Sequence, residues 1–379
     1  MTRPDLPGVQ LGNQTPAGGT PAGAPSEGPA SEGPASEGPA SEGAAPAGLR
    51  AVALGGGHGL YATLSALRLL TERVTAVVTV ADDGGSSGRL RGELGVLPPG
   101  DLRMALAALA DHSPSGELWG ELFQHRFGGS GALAGHAVGN LLLAGLIEVL
   151  GDPVAALDEA CRLLGVRGRV LPMSAEPLVI EAEVVGLGRD PETVSRIRGQ
   201  VAVASTPGKV NRVWVQPSRP KACQEAVSAV RDAELVLLGP GSWFTSVLPH
   251  LMVPELRQAL LDTPARRVVV LNLAPQPGET AGFSPERHLD VLCQHAPELR
   301  IDAVLADIGA VPVPERLQRS AATLGARAVL APIGEPDGSP RHNPAALAEA
   351  LRSVLAQADQ EWHSGTRAAP SREESTRWR

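Results

Sequence analysis

The sequence predicts an α/β fold: a mostly parallel sheet with helices on both faces, plus a helical segment and a small β-rich excursion. Three observations predict it. Short apolar runs recur along the body of the chain, continuous rather than alternating, as suits parallel strands covered on both faces. Stretches with helical period separate these runs. Two of the runs end in glycine turns that open helices, the order of a strand–turn–helix unit with right-handed crossovers.

The elements follow in order from Leu49. The run "LRAVALGGG" reads as a short buried strand ending in glycines. Tyr61 to Glu72 reads as a helix, with Leu64, Leu67, Leu69 and Leu70 on its apolar face. "VTAVVTV" is the second strand. Residues 101–164 are mostly helical by pattern. Residues 166–217 hold "RGRVLPMS", "LVIEAEVVG" and "NRVWVQP", extended segments punctuated by Gly and Pro, which form the β-rich excursion. Strands are then expected at 233–239, 266–273, 301–307 and 326–332. Helices are expected at 221–231, 253–262, 285–295, 315–323 and 344–357.

The ends differ from the body. Residues 1–48 hold 9 Pro and 10 Gly and no aromatic residue, and from Ser26 the pentamer "SEGPA" repeats three times. Such a stretch has little apolar surface with which to offset its ordering entropy, so it reads as a disordered extension. It lacks the apolar core of a signal peptide. Residues 359–379 read as a loose tail. The folded domain is therefore expected over 49–358, with the excursion at 165–220.

The formal net charge is −8, shared about equally between the extension and the body. Without a basic excess, nucleic acid is not an expected partner. No apolar stretch is long enough to span a bilayer, so membrane insertion is not expected either. Cys161, Cys223 and Cys293 are too far apart for a disulfide framework or a zinc site, which suits a reducing cytoplasm. The sequence leaves room for a homo-oligomer and names no protein partner.

Five stretches carry candidate chemistry. In "GGGHGL" (Gly55, Gly56, Gly57, Gly59, Leu60) a glycine turn opens a helix, a natural seat for phosphate on free backbone N–H groups. The spacing matches neither a dinucleotide fingerprint nor a P-loop, and a plain tight turn is the bland alternative. In "VADDGGSSGRL" two acids end the second strand, where ligands of open α/β sheets bind. Asp82 and Asp83 are candidates for a ribose hydroxyl, a divalent cation such as Mg²⁺, or a base. Ser86 and Ser87 are candidates for phosphate or for a helix cap, and an Asp-Gly turn with a Ser cap is the bland reading.

In "LPPGDLRMALAALA" Asp101 opens a helix and Arg103 follows as a possible phosphate clamp; an N-cap and a solvated arginine are the ordinary alternatives. In "GHAVGNLLLAGL" His136 and Asn140 share a helix face, as ligand-orienting groups or as a satisfied core pair. In "LLGPGSWFTSVLPHL" a second glycine turn, Gly239 to Gly241, leads into Ser242 and Ser246. Phe244 beside Trp243 offers a face on which a nucleobase can stack, or simply core.

The stretches "GGGHGL", "VTVADDGGSSGRLR", "LPPGDLR", "GHAVGNLLLAGL", "VRGRVLP", "GPGSWFTSVLPHLMVPEL" and "QPGET" resemble the gluconeogenesis factor family, within a superfamily that includes 2-phospho-L-lactate transferase. The resemblance covers roughly residues 49–335. It implies a Rossmann-like fold, a cytoplasmic location and binding of a nucleotide-sugar such as UDP-N-acetylglucosamine. It also implies a regulatory role in cell shape and morphogenesis on gluconeogenic carbon sources, with no settled catalysis. A Mg²⁺-dependent transfer of a phosphate-containing group is the alternative expectation, with Asp82 or Asp83 on the metal or acting as base and Arg89 and Arg103 stabilising charge. Three positions depart from the family pattern: His58 for a threonine, Met104 for an asparagine and Phe244 for a tyrosine. "QPGET" at 276–280 has no role assignable from sequence.

Overall fold

The computed structural model of the chain describes residues 48–363 apart from 189 and 191. The expected extension up to residue 47 and the expected tail beyond 363 lie outside the described residues. The chain runs β1 (Ala51–Gly55), α1 (Gly57–Arg68), β2 (Val74–Val78), α2 (Gly85–Leu94), α3 (Pro99–Leu109), α4 (Pro114–Gln124), α5 (Val138–Leu150), α6 (Pro153–Leu163), β3 (Arg169–Pro172), β4 (Val179–Val185), β5 (Val194–Arg198), α7 (Gln200–Ala204) and β6 (Lys209–Gln216). It continues through α8 (Gln224–Arg231), β7 (Leu235–Leu238), α9 (Pro254–Asp262), β8 (Arg266–Val270), α10 (Pro285–His295), β9 (Ala303–Asp307), α11 (Pro314–Thr323), β10 (Arg327–Ala331) and α12 (Pro344–His363).

Seven parallel strands form the main sheet in the order β10-β9-β8-β7-β1-β2-β3. Every residue of β1 and β7 is buried. That double-sided burial is why their sequences are unbroken apolar runs. The chain builds outward from β1 to β2 and β3, then returns to β7 on the other side of β1 and continues to β10. The direction of winding therefore reverses between β1 and β7. α1 packs on α3 and α12, while α8 packs on α9 and α10 on α11, giving the two helical layers.

The first half of the excursion falls differently from the expectation. "RVLP" is β3, the edge strand of the main sheet, paired parallel to β2. Its partner β2 is fully apolar over Ala76–Val78, and Val170 and Leu171 continue that buried layer. The true excursion is the antiparallel sheet β5-β4-β6 with α7. The last helix also extends past the expected boundary at residue 358, to His363.

Local signals set the helix ends. α3, α4, α6, α9, α10 and α11 all open on a proline. The first turn tolerates proline because its N–H is unpaired there anyway. Ser113 caps α4 through Gly116 N, and Asp152 caps α6 through Val154 N. Leu64 and Leu67 of α1 are fully buried on the sheet; each contributes about 1.5–3 kcal/mol from burial. No helix among the described residues is long and apolar enough to cross a membrane. Cys161 and Cys223 are buried and free, and Cys293 is half-buried and free.

Candidate functional site

The reversal between β1 and β7 creates a crevice at the carboxyl ends of two adjacent central strands, where ligands of doubly wound sheets bind. Both glycine turns lie there, and they touch. A side chain at Gly59 would run into the carbonyl of Pro240 and come within 2.7 Å of Gly241 Cα. Thr63 of α1 donates to Gly239 O at 3.1 Å, clamping one turn to the other. Gly55 ends β1, and its carbonyl accepts from Thr79 N at 2.9 Å. Gly56 is extended and Gly57 has φ +57°, so the chain enters α1 through a left-handed residue that glycine adopts at no steric penalty. Leu60 is buried core, so its side chain offers nothing to a ligand. His58 is exposed on the first turn of α1.

Asp101 faces the start of α1. A Cβ at Gly56 would collide with Asp101 Oδ2 and stand 2.7 Å from Thr79 Cγ2. The Gly57 N–H points to the Asp101 carboxylate. The residue keeps some exposure, yet Oδ2 itself is inaccessible and has no hydrogen-bond partner. Burial pushes the Asp101 carboxyl up to about 7, and the nearby Asp82 carboxylate adds to the rise. Gly57 N–H and Arg103 oppose it. Asp82 lies within the same group: a Cβ at Gly100 would stand 2.7 Å from its Oδ2 and would collide with Ser87 Oγ.

Behind these acids runs a buried polar chain. Arg103 Nε donates to Asn140 Oδ1 at 2.9 Å, and Asn140 Nδ2 donates to Ser86 Oγ at 3.0 Å. Ser86 Oγ meets His136 Nδ1 at 2.9 Å. Burial, then the charge of Arg89, lowers the His136 pKa. The partner that the sequence could not supply for His136 is thus Ser86. Arg103 is 4% exposed. Its Nη1 has no partner, and burial, then Arg126, lowers its pKa to about 10. Thr79 Oγ1 is also buried and unpartnered. Three unsatisfied polar atoms therefore come from Thr79, Asp101 and Arg103, and native proteins leave few such atoms.

Several expected ligand contacts have other work. Asp83 Oδ2 accepts from Gln200 N at 3.0 Å and Oδ1 from Val201 N at 2.9 Å, so this carboxylate caps α7 of the small sheet. Arg89 donates to the carbonyls of Ala132 and Ala134. Phe244 corrects the stacking expectation: it is 0% exposed, edge-on to Phe283 and His295, and has no face left for a base. Ser246 is buried, and its N–H donates to Ser242 O. Met104 is half-buried on α3.

The second turn is held by residues that sequence reasoning missed. Gly241 N donates to Asn272 Oδ1 at 2.8 Å, and Asn272 Nδ2 returns a bond to Gly241 O at 2.9 Å. The Gly241 amide expected to hold an anion is therefore already paired. Glu279, from "QPGET", is 3% exposed and lies over the π-helical turn Trp243–Val247. Burial pushes its carboxyl up to about 7, against the pull of the Thr245 hydroxyl, the Thr245 and Phe244 amides and the Ser242 hydroxyl. Turned to suit its neighbours, the Gln276 amide donates to Gly241 O and Glu279. The available signals were a polar Asn ending an apolar strand and a lone acid in a Gly/Pro loop.

Among the described residues no group of three or more His, Cys, Asp or Glu side chains could hold a metal. Mg²⁺ needs less, commonly one or two carboxylates with water and substrate phosphates. Asp82 and Asp101 fit that requirement; Asp83, already bound to two amides, does not.

The fold and this rim define a doubly wound, Rossmann-like protein whose crevice is bordered by two glycine turns and by the half-buried acids Asp82 and Asp101. The chain belongs to the family described as 2-phospho-L-lactate transferase CofD, which it matches over residues 51–331. It is 63% identical over 308 residues to a Mycobacterium tuberculosis protein named as a candidate gluconeogenesis factor, spanning 80% of this chain and 90% of that one. It is 39% identical over 275 residues to the Bacillus subtilis protein named gluconeogenesis factor, spanning 73% of this chain and 83% of the relative. A crystal structure of a UPF0052 family member from Bacillus halodurans superposes with a TM-score of 0.72 at 35% identity, covering 80% of this chain and 99% of that one.

Proposed function

We propose that the crevice between β1 and β7 binds a nucleotide-sugar of the UDP-N-acetylglucosamine kind, and that the chain acts in the cytoplasm as a gluconeogenesis factor regulating cell shape on gluconeogenic carbon. One observation carries the reading. The two glycine turns adjoin at the winding reversal, so the backbones of both border one crevice at the start of α1. The unpaired Arg103 Nη1 supports a negatively charged ligand. Asp82 reads a hydroxyl or, with Asp101, holds Mg²⁺, which when bound would neutralise phosphate charge. Calorimetry with UDP-N-acetylglucosamine, with and without Mg²⁺, tests the reading. Folded protein that gives no heat at millimolar ligand eliminates it.

A second reading, transfer of a phosphate-containing group, is favoured by the Asp82–Asp101 pair beside Arg103 and by the description of the family. The acceptor hydroxyl oxygen would bond to phosphorus as the bond from phosphorus to the nucleotide breaks. The nucleotide would leave with that electron pair, and the hydroxyl proton would pass to Asp82. Turnover of a nucleotide-linked donor that persists undiminished in Asp82→Asn contradicts this assignment.

A further inference from the structure

A second cavity lies away from the crevice, between the small sheet and α9–α10. Its volume is about 490 Å³. Val213, Trp214, Leu251, Met252 and Pro254 give it an apolar lining, and Arg212 and Arg257 bring two guanidinium groups to it. Their situations differ. Arg257 is already paired with Glu298. The Arg212 guanidinium makes no ion pair or hydrogen bond among the described residues. Its cross-strand neighbour is Glu183, but that carboxylate pairs instead with Arg196, at 3.9 Å. Arg196 in turn lies over the Trp214 ring, 5.0 Å from its centroid.

The remaining titratable group in the lining is His295. Its Nδ1 sits 2.9 Å from Val291 O, its Nε2 is buried, and burial followed by the two arginines lowers its pKa. With Arg257 paired to Glu298, the cavity's uncompensated charge is the Arg212 guanidinium. No carboxylate belongs to the lining. A pocket that joins apolar side chains to an exposed positive charge, with the amides of Asn211 and Gln294 beside them and no counter-ion of its own, suits a ligand that supplies one.

We infer that this cavity is a second ligand site, taking a small organic anion with an apolar or aromatic body whose charged group pairs with Arg212. Leu251 and Met252 are part of its lining. They belong to the segment that starts at Ser242 in the crevice and passes through the turns Trp243–Val247 and Leu248–Met252. An occupant therefore leans on the far end of the strap that forms one side of the main crevice.

The probe is 8-anilinonaphthalene-1-sulfonate, titrated by fluorescence into the full chain. Saturable binding is expected, weakened about tenfold or more by Arg212→Ala, the loss of one charge-assisted contact. Met252→Trp, which fills the cavity without touching charge, is expected to abolish it. Saturating UDP-N-acetylglucosamine is expected to leave the probe bound, which separates this site from the crevice. Unchanged probe affinity in both variants, or competitive displacement by the nucleotide-sugar, would overturn the inference.

Discussion

Replacing Asp101 by Asn keeps the shape of the side chain and removes its titration. Asp101 releases its proton at about 7 in the folded chain, against 3.8 ordinarily. Between those values the native state holds a proton that the unfolded state has lost. Stability is then fully present below about pH 4, falls as pH rises and levels off above about pH 7. Some three units at about 1.4 kcal/mol each bound the effect at about 4 kcal/mol. The residue's partial solvent access lowers the expectation to roughly 2 kcal/mol. Glu279, raised to about 7, contributes with the same sign, while His250, lowered to about 4 by burial, contributes with the opposite one. The wild type minus variant difference removes both. Urea unfolding followed by tryptophan fluorescence, at about pH 4 and about pH 8, measures it. The Asn variant should gain roughly 2 kcal/mol on the wild type between the two conditions. An identical pH response in the two proteins would refute the assignment of a buried, proton-retaining Asp101.

Gly59→Val drives a branched side chain into the Pro240 carbonyl, where backbone has no room to yield, and should lower stability by about 3 kcal/mol or more in thermal unfolding. Gly145→Ala is the contrasting case. It sits inside α5 with nothing within 4 Å of an added Cβ and should raise stability by about 0.5–1 kcal/mol. Asp83→Ala leaves the Gln200 and Val201 amides without their acceptor. Those two amides should exchange hydrogen faster, with about 1–2 kcal/mol of local protection lost. The thiols of Cys161 and Cys223, pushed by burial to about 11 and about 12, should resist thiol reagents until the chain unfolds.

Most of the main sheet was legible because its strands are buried on both faces and leave unbroken apolar runs. β7 through β10, α9 and α10 fall within the expected stretches, and α11 begins one residue before its own. β3 was misplaced because a four-residue edge strand carries too few side chains to show which sheet it joins. At the site, the glycine turns were legible from chemistry that only glycine permits. Asp82, Asp101, Arg103, Asn140 and Ser86 do converge, yet their bonding order was hidden, since the polar chain joins α2, α3 and α5 through space. Adjacent Asp82 and Asp83 look equivalent in sequence. Backbone direction separates them, one turning to the crevice and the other to α7. Phe244 looked like a stacking platform because aromaticity is visible in a sequence and burial is not. Asn272 and Glu279 were passed over because each stands alone in its stretch.

The cap that Asp83 places on α7 has a mechanical consequence. Asp82 and Asp83 are consecutive, so whatever draws the first toward a ligand must strain or carry the second. α7 is anchored to that second carboxylate at one end, and at the other the backbone of Ala204 and Ser205 lies so close to Gly278 that a Cβ there would collide with it. A pull on Asp82 would thereby reach the outlying three-stranded sheet through the Asp83 cap on α7.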